Sequence, residues 1–125
     1  MGRALRIQSA GILFHIINRG NARQVVFRDT EDHEQYLRLL RKYKERFAIG
    51  LYHFVLMSNH VHLLLQTMKP DTISRFMQCL TAAYARYYNR KYQTSGHVWQ
   101  GRFTSIIIQS EQYYLSCARY IELNP

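Results

Sequence analysis

The chain has 125 residues, of which 47% are hydrophobic, and this suits one domain that buries its own core. Lys and Arg number 17 against 8 Asp and Glu, so the formal net charge is +9 and nucleic acid is the expected partner. No run reaches the roughly 18 apolar residues of a membrane span, and no signal peptide opens the sequence, so we expect a cytoplasmic protein without a membrane partner. Cys79 and Cys117 lie far apart without a CxxC pattern and are expected to be free thiols.

The first part of the chain predicts a strand followed by a helix. A β-branched, apolar run at 12–17 is typical of a strand, and the Asn-Arg-Gly-Asn sequence at 18–21 then supplies turn chemistry. Apolar side chains next recur at intervals of three and four residues, which is the helical period. Asp29 or Thr30 is placed to cap this helix, and we expect it to end near Gly50.

The same signals continue to the end of the chain. They predict strands at 51–57 and 60–66 joined by a tight turn, a helix from 70, a strand at 98–108 interrupted at Gly101, and a last helix capped by Ser110. The order β-α-β-β-α-β-α predicts an α+β fold, with a ferredoxin-like split βαβ antiparallel sheet, helices on one face and an added C-terminal helix. The other sheet face is expected to be free for single-stranded nucleic acid.

His60 and His62 stand two residues apart on a predicted strand. Side chains of a strand alternate between faces, so both imidazoles should project from the same face with Cα atoms about 6.6 Å apart. Two ring nitrogens can converge on one metal ion at that spacing. A hydrogen-bonded pair or an exposed polar surface would give the same pattern, and a metal would need a third ligand from another element.

Tyr120 and Asn124 stand one helical turn apart on the last predicted helix. The amide oxygen of an asparagine is a hard ligand that suits Mg²⁺ or Mn²⁺, so Asn124 is a candidate third ligand. A tyrosine one turn away would then lie beside the metal. The alternative is that Tyr120 packs in the core and Asn124 caps the helix C-terminus.

Four stretches of the sequence together resemble one enzyme family. They are FHIINRGN at 14–21, MSNHVHLL at 57–64, VWQGRF at 98–103 and RYIELNP at 119–125. In this order they resemble the HUH single-tyrosine transposases, and most of all the branch of REP-associated tyrosine transposases. The resemblance extends from about residue 12 to the end of the chain. It implies that residues 1–125 form a single HUH tyrosine transposase domain, which is either naturally short or truncated after Pro125.

The resemblance also implies roles for individual residues. His60 and His62 match the family's histidine-hydrophobic-histidine metal motif, Asn124 matches its third ligand, and Tyr120 matches its nucleophile. The implied activity is a divalent-metal-dependent endonuclease and strand transferase, using Mg²⁺ or Mn²⁺. It would act on single-stranded DNA near a hairpin through a covalent 5′-phosphotyrosine link. A ferredoxin-like module that binds single-stranded nucleic acid without catalysis is the alternative, and a homodimer remains open.

Other residues are candidates for contact with DNA. Arg19 and Arg23 belong to the basic turn after the first strand, and Arg102 is a candidate phosphate contact. Trp99 could stack on an unpaired base, although a buried tryptophan is the stronger interpretation. His15 is expected on a strand next to His60, where a histidine of the sheet surface is a commoner case than a metal ligand.

Overall fold

A computed structural model describes residues 11–109 and 111–123 of the chain. The strands are β1 (Ile12–Arg19), β2 (Gly50–Met57), β3 (His60–Thr67) and β4 (Thr104–Ile107), and the helices are α1 (Thr30–Arg46), α2 (Pro70–Tyr92) and α3 (Glu111–Leu123). A short 3-10 turn at Asn21–Arg23 follows β1. None of the helices among these residues combines the length and the apolar character that crossing a membrane requires.

The four strands form one sheet in the order β2-β3-β1-β4, and all neighbouring strands are antiparallel. This order, with a helix after β1 and another after β3, confirms the predicted α+β, ferredoxin-like arrangement. The pairing of β1 with β3 sets Arg19 opposite His60 and Ile17 opposite His62. The histidine pair therefore lies on a central strand, with β1 on one side and β2 on the other.

Local signals explain where the helices begin and end. The Asp29 side chain accepts a hydrogen bond from the Asp32 backbone N–H at 2.9 Å, as expected of an N-cap residue. Helix α1 ends at Arg46, which is earlier than predicted, because the chain turns through Ala48 at a φ of 53° and Gly50 already belongs to β2. Helix α2 has a proline in its first turn, where the missing N–H costs no helical hydrogen bond.

The predicted strand at 98–108 is mostly irregular, and only Thr104–Ile107 belongs to the sheet. The interruption at Gly101 is confirmed, because this residue has a φ of +41° and the chain bends there. Before the bend, Trp99 forms a single bridge to Gly20, and the Gln100 N–H donates to the Arg19 carbonyl at 2.8 Å. These bonds close the end of β1 without extending the strand.

The two faces of the sheet carry different layers. Helices α1 and α2 cover one face with a large core that includes Ile16, Leu63 and Leu65. Helix α3 packs on the opposite face, where Tyr114, Cys117 and Ala118 join a smaller core with Leu13, Val55, Leu64 and Ile108. The prediction of a free sheet face was therefore wrong in part, because the apolar side of α3 buries itself on β2 and β3.

Candidate metal and tyrosine site

His60 and His62 project from the sheet face that packs against α3. Their rings lie with centroids 5.1 Å apart, and the intervening Val61 is fully buried on the other face. The alternation of β3 produces this arrangement, because Val61, Leu63 and Leu65 pack toward α1 and α2 and the residues between them face α3. The two imidazoles are close enough to converge on a single ion.

Both histidines are held through the same ring nitrogen. His60 Nδ1 lies 2.8 Å from the Asn59 side-chain oxygen, and His62 Nδ1 lies 3.0 Å from His15 Nε2. An oxygen acceptor requires the proton of His60 to be on Nδ1, which leaves its Nε2 with a lone pair. If His62 carries its proton on Nδ1 in the same way, two neutral Nε2 atoms, each with a lone pair that can bind a metal, face the space beside α3. This donor set fits a divalent metal ion.

Burial and neighbouring charge keep the histidines of this site neutral. Burial lowers the pKa of His62 to about 4, with further lowering from His15, His60 and Arg19. Burial and then the Arg19 guanidinium lower the pKa of His60, and burial lowers that of His15. Neutral imidazoles are the form that binds metal, so near pH 7 no proton has to be removed from them before an ion binds.

Helix α3 brings Tyr120 to the histidine pair. The Tyr120 ring lies 5.1 Å from the His62 ring, centroid to centroid, at an interplanar angle of 72°. Tyr114, Cys117 and Ala118 anchor the helix on the sheet, and Tyr120 is 44% exposed at its far end. Tyrosine and histidine therefore meet within one chain, in a position that is open to solvent.

The third predicted ligand, Asn124, lies outside the described residues. Ser110, the predicted cap of α3, also lies outside them. Within residues 11–109 and 111–123, no group of three or more His, Cys, Asp and Glu side chains is arranged to hold a metal. The described part of the site thus contributes two nitrogen donors, and a third protein ligand stays a prediction.

The sequence interpretation placed His15 on a strand next to His60 but missed its burial and its contact with His62. It was expected to be a histidine of the sheet surface, but it is buried between His62 and α3. Its ring stacks on that of His62 with centroids 5.3 Å apart. The alternation of β1 puts His15 on the same face as Arg19, but its contact with His62 also depends on the strand register, which no local pattern reveals.

The candidate DNA contacts fall into two places. Arg19 is exposed at the end of β1, opposite His60, so its charge belongs to the histidine face. Arg23 is exposed in the adjoining 3-10 turn, with a φ of 61°. These two arginines can therefore contribute positive potential at the same end of the sheet as the metal motif.

Arg102 and Trp99 lie on the other side of the sheet. Arg102 is exposed and lines a groove of about 480 Å³ between α2 and β4, together with Phe103 and the buried Asn18. Trp99 is only 7% exposed, and its indole N–H donates to the Thr81 carbonyl at 3.2 Å. Its ring belongs to the large core, so this position does not favour the predicted stacking on DNA.

Comparisons with known proteins agree with this fold. A search of solved structures finds the structure of a REP-associated tyrosine transposase bound to a REP hairpin, with a TM-score of 0.70, 20% identity, and coverage of 93% of this chain and 67% of the other. A candidate transposase from Deinococcus radiodurans matches with a TM-score of 0.66, 24% identity, and coverage of 90% of each chain. Among curated proteins none matches.

These structural likenesses show the fold, and a family comparison goes further. The family model described as "Transposase IS200 like" matches residues 8–124, which is nearly the whole chain. The match includes the histidine pair, Tyr120 and the strands and helices that position them. The chain therefore belongs to the IS200-like transposase family.

Proposed function

We propose that this protein nicks and rejoins single-stranded DNA, with Tyr120 as the nucleophile and a divalent metal bound by His60 and His62. The observation that carries the proposal is the contact of the Tyr120 ring with His62, whose neighbour His60 presents an Nε2 lone pair. A nucleophile and a pair of metal ligands in contact are what a tyrosine-dependent strand transfer needs. Asn124 is proposed as the third ligand.

The chemistry divides one phosphodiester exchange into two steps. In the first, the Tyr120 phenol oxygen attacks the phosphorus, the bond to the 3′ oxygen breaks, and the phenol loses its proton while the 3′ oxygen gains one. The products are a 5′-phosphotyrosine and a free 3′-OH, and attack by a second 3′-OH reverses the step on a new strand. A bound Mg²⁺ or Mn²⁺ would polarise the phosphate oxygens and offset the charge that develops on them.

The substrate class follows from charge and from family membership. The net charge of +9 favours a polyanion, and Arg19 and Arg23 extend the histidine face with exposed positive charge. One structural neighbour was solved on a REP hairpin, so we propose a hairpin-marked single strand for this chain as well. The free thiols of Cys79 and Cys117 suit the reducing cytoplasm, which is the proposed compartment.

A covalent adduct on labelled DNA tests this proposal. The protein is mixed with oligonucleotides that carry a hairpin and randomised single-stranded flanks, in Mg²⁺ or Mn²⁺, and is run on a denaturing gel. We expect protein-linked DNA only when the label is on the 3′ end, because the tyrosine retains the 5′ phosphate of the downstream fragment. Tyr120→Phe should abolish the adduct, whereas Tyr114→Phe on the same helix should retain it.

The alternative function predicts a different result on the same DNA. A binding module without catalysis would retard the oligonucleotides on a native gel and would form no adduct with either metal. Adduct formation that survives Tyr120→Phe would also reject the proposal, since another nucleophile would then be responsible.

A further inference from the structure

A chain of hydrogen-bonding groups connects His62 to helix α3 through His15. His62 Nδ1 lies 3.0 Å from His15 Nε2, and His15 Nδ1 lies 3.2 Å from the Tyr113 hydroxyl. Cys117 Sγ is 3.5 Å from the same nitrogen of His15. His15 and His62 are both buried, so their ring nitrogens depend mainly on protein partners.

The positions of the protons along this series of hydrogen bonds decide whether His62 can bind a metal. A neutral imidazole carries one N–H and one lone pair, so only one of its nitrogens can be a ligand. Nε2 of His62 is free to coordinate only when the proton is on Nδ1, and that proton needs an acceptor. His15 Nε2 is placed to accept it, which in turn puts the proton of His15 on Nδ1, where Tyr113 and Cys117 lie.

We propose that His15 is a positioning residue that holds His62 in its Nδ1–H tautomer, so that the Nε2 lone pair faces the metal. His15 does this as the acceptor for the His62 Nδ1–H, while its own Nδ1–H donates to the Tyr113 hydroxyl. Asn59 does the same for His60 with a side-chain oxygen, so the two metal ligands have matched protonation. Partners behind metal-binding histidines orient the ring and fix the tautomer in this way.

Helix α3 takes part in this arrangement as well as carrying the nucleophile. Tyr113, Cys117 and Tyr120 are four and three residues apart, so they share one face of the helix. Two of them contact His15, and the third contacts His62. Docking of α3 on the sheet therefore places the nucleophile and completes the partners of His15 in the same event.

The tautomer can be measured directly, without metal, DNA or a variant. Long-range ¹H–¹⁵N correlations of the histidine rings in the wild-type protein, in which Nδ1 and Nε2 give separate signals, report which nitrogen is protonated. We expect His62 and His15 both to be Nδ1–H tautomers. An Nε2–H tautomer for His62 would overturn the inference, because its lone pair would then point at His15 and not at the metal site.

Two substitutions test the consequence for metal binding, which rests on the proposed function. His15→Gln can present a side-chain oxygen near the former Nε2, whereas His15→Phe keeps a planar ring and removes the acceptor. The Mn²⁺ dissociation constant, measured by electron paramagnetic resonance, should rise by about tenfold or more in His15→Phe and by no more than about threefold in His15→Gln. Circular dichroism and the amide spectrum verify that both variants are folded.

The outcomes separate this inference from the proposed function. Equal Mn²⁺ affinity in wild type and in folded His15→Phe would overturn the role of His15 and leave the metal-dependent chemistry standing. If the wild type shows the Nδ1–H tautomer but binds no Mn²⁺, the proposed nicking chemistry fails and the tautomer assignment stands. If His15→Phe does not fold, the tautomer measured in the wild type decides alone.

Discussion

The two faces of the sheet differ in the side chains that the same strands place on them. On the face covered by α1 and α2, the described part of the chain buries a core cluster of twenty apolar residues, against seven on the face covered by α3, so most of the hydrophobic stabilisation comes from the first. The second face instead carries His15, His60, His62 and an exposed Tyr120. The comparison suggests that one face supplies stability and thereby allows the other to hold polar groups in place for chemistry.

The two faces also differ in the hydrogen bonding of their buried polar side chains. On the face covered by α1 and α2, Asp32 has no exposed surface. Its carboxylate accepts hydrogen bonds from Tyr87, Tyr92 and the Arg28 backbone, and it forms an ion pair with Lys91. On the α3 face His15 and His62 are buried as neutral imidazoles, and the half-buried His60 retains an Nε2 lone pair that its Asn59 contact does not use. The first is a closed network that suits structure, and the second has capacity left for a ligand.

The largest expected effect comes from removing a proposed metal ligand on the α3 face. His62→Ala should reduce DNA cleavage by on the order of 1000-fold, because the ion contributes several kcal/mol to the transition state. Single-stranded DNA binding should change little, and His33→Ala on α1 is the matched control that should cleave normally. Rates of adduct formation and native gel shifts measure both. Loss of binding together with cleavage would mean that His62 serves the fold or the DNA.

A substitution on the face covered by α1 and α2 should instead lower stability and leave cleavage nearly unchanged. Asp32→Asn keeps the shape of the side chain but removes the charge that Lys91 and the tyrosine hydroxyls bind, so we expect a loss of about 2–4 kcal/mol in the free energy of unfolding. Glu31→Gln is the control, because this side chain also pairs with Lys91 but is 70% exposed, and it should cost less than about 1 kcal/mol.

Urea unfolding of the two variants and the wild type provides the measurement. Metal-dependent cleavage by Asp32→Asn, measured well below its melting temperature, should stay close to that of the wild type. A large loss of cleavage in the folded variant would contradict the division of labour between the two faces.

The sequence was sufficient for the parts of this division that follow from local pattern. The alternation of β3 correctly set His60 and His62 on one face, and the turn and capping signals located α1 and α2 to within a few residues. The spacing of Tyr120 and Asn124 left the meeting of Tyr120 with the histidines open, and the family resemblance decided it, because the packing of α3 on the sheet is a long-range contact.

The parts that were missed depend on pairings between distant segments. His15 meets His62 across 47 residues, and Asp32 meets Lys91 across 59, so neither pair leaves a periodic trace in the sequence. A buried Trp99 was one of the two sequence interpretations, but its ring partners Tyr36 and Tyr84 lie far away in the sequence and could not be identified from it. Local propensity cannot report such contacts, because they exist only after the chain has folded.

Acid should destabilise the two faces in separate pH ranges. Because the pKa of His62 is about 4 in the folded protein and 6.5 when unperturbed, the unfolded chain binds more protons between these values. Stability should therefore fall by about 2–3 kcal/mol as the pH is lowered from 7 to 4, with His15 and His60 acting in the same direction. His62→Gln should flatten this first step.

The second loss of stability belongs to the face covered by α1 and α2, and it begins only near the unperturbed pKa of an aspartate, 3.8. Hydrogen bonds from Tyr87, Tyr92, Arg28 and Lys91 outweigh the effect of burial and hold the pKa of Asp32 well below that value. The stability that Asp32 contributes is present above 3.8 and is lost as the pH falls further. Chemical unfolding at a series of pH values separates the two steps. A single loss of stability with falling pH, unchanged in both His62→Gln and Asp32→Asn, would refute the separation.

The smallest expected effects distinguish the arginines of the two faces. Arg19→Ala and Arg102→Ala should each weaken single-stranded DNA binding by a few-fold and reduce the salt dependence by about one counterion, as expected for one phosphate contact. Only Arg19 lies opposite His60, so only Arg19→Ala should also slow cleavage at saturating DNA. Arg38→Ala, an exposed position on α1, is the control for a general change in charge. Because Arg102 lines a groove on the opposite face, a cleavage defect in Arg102→Ala that persists at saturating DNA would show that both faces take part in the reaction.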